Sequence, residues 1–246
     1  MKKLSFITGM LICVLLLLAA LGAICGTVDQ MARDERFYGD MSRAAVAKYL
    51  GTQDAAQVTA YIGMDAAQQG EFAAQMAAFM AGETDAQPQV LSDKEQQHML
   101  DVRSITKRAA DMSKTCMSLA VALAVVAAWT GSRLKKRAKP CLIGGLAAAT
   151  IVAALAYGII SRLAGGGFEE LFIKMHELLF TNDLWLMNPD TDIIIRMMPQ
   201  TLFEQALTDG AGQTLRMLMI VVVMLAAVHE IVLGMIRRQL AKGEKV

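Results

Sequence analysis

Apolar residues along this chain gather into four blocks, and the sequence between them is a mixture of charged, polar and apolar positions typical of water-exposed segments. Residues 4–28, 115–132 and 140–161 contain no charged side chain, and residues 217–236 carry only His229 and Glu230. A helix needs about 20 mostly apolar residues to cross a bilayer core. The pattern therefore predicts an all-α membrane protein with four transmembrane helices over those four ranges. The first block follows Met1-Lys2-Lys3, a start shared with cleaved signal peptides. Its uncharged run is longer than the ~7–15 residues of a signal h-region, so a retained anchor is expected.

Basic residues give the direction. Lys2 and Lys3, the loop 133–139 and the tail 237–246 flank span ends on one side, which the positive-inside rule assigns to the cytoplasm. Segments 29–114 and 162–216 hold more acidic than basic residues and are expected outside. An even number of spans also returns the C-terminus to the cytoplasm.

The first outer segment reads as a mainly helical cap, with some strand allowed: a helix over Met41–Leu50, Ala-rich amphipathic stretches from Gln57 to Met80, then a loop to Gln89. Ser92-Asp93-Lys94-Glu95 has the form of a capping box. The helix it opens should run towards the second span, with His98, Val102, Ile105, Ala109 and Met112 on one stripe. In the second outer segment Phe172, Met175, Leu179 and Phe180 surround His176. Asn188-Pro189-Asp190 is a turn signature, and Thr201-Leu202-Phe203-Glu204 is a second capping-box pattern. These short apolar elements, with Trp185 among them, suit a membrane interface.

Composition adds little that is global. Apolar residues make up 55% and charged residues 19%, against ~45–50% and ~25% in soluble domains. The net charge of +1 gives no reason to expect a nucleic-acid partner. Cys13, Cys25, Cys116 and Cys141 all lie in or beside the apolar blocks, so they read as packing residues rather than disulfides or nucleophiles. No Gly-rich phosphate loop, CxxC pair or HExxH motif occurs.

The chain has 3 histidines. His229, beside Glu230 near the cytoplasmic arginines, reads as a local pair at the inner surface. His98 and His176 share the outer side, each on an apolar stripe with a carboxylate nearby (Asp101; Glu177). Either alone would be an ordinary packing histidine. Together they suit acyl chemistry, since imidazole can take a proton from a nucleophile and return it to a leaving alcohol. The same pair with a carboxylate would also suit a metal ion. Asp190 and Asp192 fit turn and cap roles. Arg103, five residues past His98, falls off its helical face, which favours a surface or headgroup contact.

Two stretches carry a resemblance. Glu95-Gln-Gln-His98-Met-Leu-Asp101-Val-Arg103 is similar to an "E..HM.DVK" motif. Residues 172–203, with His176, Phe180, Asn182, Trp185, Pro189, Asp190, Asp192, Ile194, Pro199 and Phe203, resemble an "FH..FF.N..W..DP..D.LI...P..FF" motif. Both belong to the lipoprotein intramolecular transacylase family of bacterial membrane proteins, whose four-span plan also matches. The chain departs from these motifs at Met175, Leu179 and Leu202, where the family has aromatics, at Asn188 before Pro189, and at Arg103 in place of lysine.

The resemblance implies a multi-pass enzyme of the bacterial plasma membrane with its site facing outside. Its substrate would be a diacylated lipoprotein drawn from the surrounding membrane lipid, and no cofactor or metal would be needed. The sn-2 acyl chain would move to the amine of the lipoprotein's own N-terminal cysteine, leaving a lyso-form. The ring closed in that attack rarely forms unaided, so the enzyme must hold a near-attack shape. His98 and His176 are the implied catalytic residues, with His176 as the base. Phe172, Phe180, Trp185, Asp101, Arg103 and Asp190, on the matching motifs, are the expected substrate contacts. Two other classes fit the residues alone: a membrane scaffold whose histidines merely pack, and a metal-dependent membrane hydrolase.

Overall fold

The computed structural model describes residues 2–134, 138–163 and 167–206, with isolated helical positions from 209 to 235. Most of the fourth apolar block, including His229 and Glu230, and the basic tail lie outside the described residues. In chain order the helices are α1 (Lys2–Ala32), α2 (Glu35–Tyr38), α3 (Asp40–Leu50), α4 (Ala55–Ile62) and α5 (Ala66–Ala81). Then come α6 (Asp93–Ser132), α7 (Ala138–Leu163), α8 (Phe168–Leu179) and α9 (Ile193–Met197). No strand occurs among the described residues.

The chain divides into two compact units. One comprises residues 1–25, 111–162 and 213–246 and holds the apolar stretches of α1 and α6. Those two helices are long and apolar enough to cross a membrane, and within α7 the stretch Ile143–Val152 is a shorter apolar segment. Small residues let these helices approach. A Cβ placed on Gly145 would stand 2.7 Å from Ile12 Cγ2 and 2.8 Å from the Gly9 carbonyl oxygen. Hydroxyls add cross-links: Thr8 donates to Thr130 Oγ1 at 3.0 Å, and Ser113 donates to the Gly22 carbonyl at 2.7 Å. Cys13, Cys25, Cys116 and Cys141 are free thiols.

The other unit, residues 26–110 and 163–212, has a conventional apolar core. Ile62, Met76, Phe79, Met197 and Leu202 are fully buried there. Two of its helices start on local side-chain caps. Asp54 caps α4 through the Ala56 amide, and Asp65 and Gln68 form a reciprocal capping box on α5. The Ala-rich stretch from Gln57 to Met80 is broken at Gly63, whose φ of 80° stops α4. Only glycine adopts that conformation without strain.

The two capping-box patterns fare differently. At Ser92 the box forms: Glu95 Oε2 accepts from the Ser92 amide and hydroxyl, each at 2.8 Å. At Thr201 it does not. Helix begins at Gln200, two residues before the start a Thr201 cap would set, and the Thr201 hydroxyl instead donates to the Ala45 carbonyl at 2.7 Å. Glu204 accepts from Gln200 Nε2. A tertiary partner across 156 positions outcompetes the local cap.

Candidate active site

His98 and His176 both belong to the second unit, on different helices. His98 sits in the second turn of α6, and His176 near the end of α8. Their rings stack with centroids 6.2 Å apart and planes inclined by 26°. Each residue is only 7% exposed, so the pair lies in a nearly dry setting. Phe180 bridges them, 5.1 Å from His98 and 5.4 Å from His176. Phe172 lies 4.1 Å from His176 on one side and Trp185 5.1 Å away. Phe203 extends the cluster from Phe172 towards Phe37. Aromatics are only 6% of the chain, yet they converge here.

The hydrogen bond of His176 fixes its tautomer. Nδ1 lies 2.8 Å from the carbonyl oxygen of Phe172. A carbonyl can only accept, so Nδ1 carries the proton and Nε2 presents its lone pair. Burial pushes the His176 imidazole below its ordinary pKa, opposed by the bond to Phe172. His98 is the more strongly affected ring. Burial pushes its pKa down to about 4, helped by the neighbouring His176 and by Lys94 and opposed by Asp101. Both rings are therefore neutral at pH 7. His98 Nδ1 is buried with no hydrogen-bond partner among the described residues. A buried orphan N–H is less tolerable than an orphan acceptor, which favours the proton of His98 on Nε2. With that tautomer His98 offers a donor beside the acceptor of His176.

Other expected contacts divide into two groups. Asp101, one turn past His98, accepts from Asn182 Nδ2 at 2.9 Å. Asn182 Oδ1 in turn accepts from the Leu184 amide, which shapes the turn between Phe180 and Trp185. Arg103 lies elsewhere: its guanidinium pairs with Asp85 at 2.9 Å and covers the Phe79 ring at 4.5 Å. Asp190 is exposed on its turn, its amide donating to Asn188 Oδ1. Met175 and Leu179 are 41% and 45% exposed, so of the expected α8 stripe Phe172 and His176 turn towards the cluster and these two do not. No group of three or more His, Cys, Asp or Glu side chains among the described residues is arranged to hold a metal ion.

Sequence reasoning missed the structural importance of Glu95 beyond its cap. The side chain is 1% exposed, and its second oxygen accepts from the Ile194 amide.

The profile of the family described as "Lipoprotein intramolecular transacylase Lit" matches residues 6–203. The chain belongs to that family. Family membership makes it a membrane enzyme, an acyltransferase whose substrates are lipoproteins. The fold agrees with solved structures. The membrane integral lipoprotein intramolecular transacylase Lit from Bacillus cereus superposes with a TM-score of 0.59 at 17% identity, covering 97% of this chain and 100% of that one. A variant of the same Bacillus cereus protein with a histidine replaced by arginine gives 0.59 at 16% identity, covering 97% and 96%. A variant with alanine there gives 0.59 at 16%, covering 96% and 97%. No curated protein matches the sequence.

Proposed function

We propose that this chain moves the sn-2 acyl chain of an S-diacylglyceryl lipoprotein to the amine of the same molecule's N-terminal cysteine, with His176 and His98 as its catalytic pair. The observation that carries this reading is the stacked pair of imidazoles, 6.2 Å apart and each 7% exposed, set among Phe172, Phe180 and Trp185.

The steps follow from the tautomers of the two rings. The α-amine has a pKa of about 8, so a useful fraction is already free near neutral pH. As its nitrogen attacks the ester carbonyl carbon, the N–H proton passes to His176 Nε2. The oxyanion that forms is met by the Nε2–H of His98, a fixed donor in a dry site. Collapse breaks the bond between the acyl carbon and the sn-2 oxygen, and His176 returns the proton to that oxygen. An amide and a free hydroxyl result, with no proton gained or lost and no acyl-enzyme. Phe172, Phe180 and Trp185 line the pocket for the acyl and glyceryl carbons. Asp101 supports the pocket through Asn182, and Arg103 and Asp190 act further out, on the outer surface.

Four spans over 4–28, 115–132, 140–161 and 217–236 hold segments 29–114 and 162–216 outside, with both ends cytoplasmic. The basic residues of 133–139 and 237–246 support this direction. Reporter fusions at residues 60, 136 and 246 should read outside, inside and inside.

Expression in a host that makes diacylated lipoproteins tests the chemistry. Mass spectrometry of the N-terminal lipopeptide should show the acyl chain on nitrogen and a free glyceryl hydroxyl. His98→Ala and His176→Ala should each lower conversion by about 10³-fold, within the usual range for acid–base groups. Unchanged diacyl product from abundant wild-type protein would refute the reading.

A further inference from the structure

We infer that Lys94 and Glu95, consecutive residues in the first turn of α6, are positioning residues that clamp both ends of the 186–194 connection and so hold Trp185 against the histidine pair. The clamp's meaning for catalysis rests on the acyl-transfer reading above, whereas its existence does not.

A helix cap needs one oxygen of Glu95, and Oε2 fills that role with the Ser92 amide and hydroxyl. The other oxygen does something a cap does not explain. Oε1 accepts the amide of Ile194 at 2.8 Å, a residue 99 positions away at the start of α9. The side chain is 1% exposed. A buried carboxylate is costly unless its lone pairs are satisfied, and here the donors come from two separate stretches of chain. The charge is tolerable only while both stay in place.

Lys94 grips the other end. Its Nζ donates to the carbonyl of Leu186 and lies 3.5 Å from Asp192 Oδ2. Asp192, 7% exposed, also closes the connection on itself. Its Oδ2 accepts from the Asn188 amide at 2.8 Å, and its Oδ1 accepts from the Thr191 hydroxyl at 3.0 Å. Leu186 directly follows Trp185, whose ring stands 5.1 Å from His176. His98 lies three residues past Glu95 on the same helix. One turn of α6 therefore sets both His98 and the tryptophan that walls His176. Lys94 and Glu95 act on the histidines through this geometry.

The test uses full-length protein in a Trp129→Phe background, which leaves Trp185 as the sole tryptophan of the original 2. Its emission reports contact with the imidazole without any substrate. Glu95→Gln keeps the shape but replaces one acceptor by a donor that faces another donor. Trp185 emission should rise and shift to the red, and kcat should fall about tenfold with KM within about twofold, as expected for a small misplacement of reacting groups. The melting temperature should stay within a few degrees. Lys94→Met should change emission and kcat in the same direction and by less. Glu71→Gln, on the exposed face of α5, should change neither.

Wild-type emission and kcat in Glu95→Gln would overturn the clamp. So would a loss of activity that merely tracks the unfolded fraction. If Glu95→Gln does not fold, Lys94→Met decides, and wild-type values there overturn it. Absence of turnover in the parent protein would sink the acyl-transfer reading alone, because the emission change still decides the clamp.

Discussion

The two units of this protein are held together by different physics. In the unit built from α1, the later part of α6 and α7, helices meet on glycine, alanine and hydroxyl side chains. In lipid, tails are as apolar as leucine, so packing and hydrogen bonds must hold helices together in place of the hydrophobic effect. The other unit buries Phe79, Ile62, Met76, Met197 and Leu202 completely, as a water-facing domain does. Its apolar burial creates the dry pocket that keeps two histidines neutral. The buried, stacked imidazole pair depends on this second kind of packing.

Removing bulk should hurt the second unit most. Phe79, 0% exposed, supports α5 and carries the Arg103 guanidinium on its face. Phe79→Ala should cost about 4 kcal/mol, read as early chemical denaturation of the Trp185 signal. The close-approach helices should unfold as before.

The next effect is electrostatic and also confined to the second unit. His98 is held at about 4 by burial, against an ordinary 6.5. On acidification the unfolded chain takes up this proton before the folded one does. Stability is therefore whole above pH 6.5 and drains as the pH falls towards 4, by about 3 kcal/mol in order of magnitude. Denaturation midpoints measured across that window should fall in wild type and fall distinctly less in His98→Phe. Equal slopes would break the assignment.

Adding bulk should hurt the first unit. The Cβ introduced by Gly145→Ala would press on Ile12 and on the backbone of Gly9 at 2.7–2.8 Å, costing about 2 kcal/mol. The same change at Gly70, which has open space around it, should cost nothing measurable. Detergent-resistance assays separate the two. The smallest effect belongs to the hydroxyl link. Thr130→Val removes the acceptor of the Thr8 bond and should cost about 0.6 kcal/mol, typical of interhelical hydrogen bonds in membranes. A cost as large as that of Gly145→Ala would mean that polar contacts, rather than close approach, hold this unit.

Much of this was readable beforehand because it is local. Runs of apolar residues give α1 and the later part of α6 whatever surrounds them. Ser92 and Glu95 cap α6 through bonds that reach no further than one turn. Arg103 is different. Its i, i+5 spacing from His98 takes it off that face, but nothing in the spacing indicates Phe79 or Asp85 as its partners. The Thr201 pattern misled because hydroxyls bond whichever acceptor the fold brings near, here the Ala45 carbonyl.

By itself the sequence determined which segments are apolar, where several helices begin, and that two histidines lie in the segments between apolar blocks. These depend on neighbours within a turn or on composition over about 20 residues. Only the tertiary structure decided that the two imidazoles stack at 6.2 Å, that the Phe172 carbonyl fixes one tautomer, and that Glu95 reaches Ile194. Contacts between residues 78 or 99 positions apart depend on how the helices pack. A hydrogen bond or a burial-driven pKa shift exists only once that packing has excluded water.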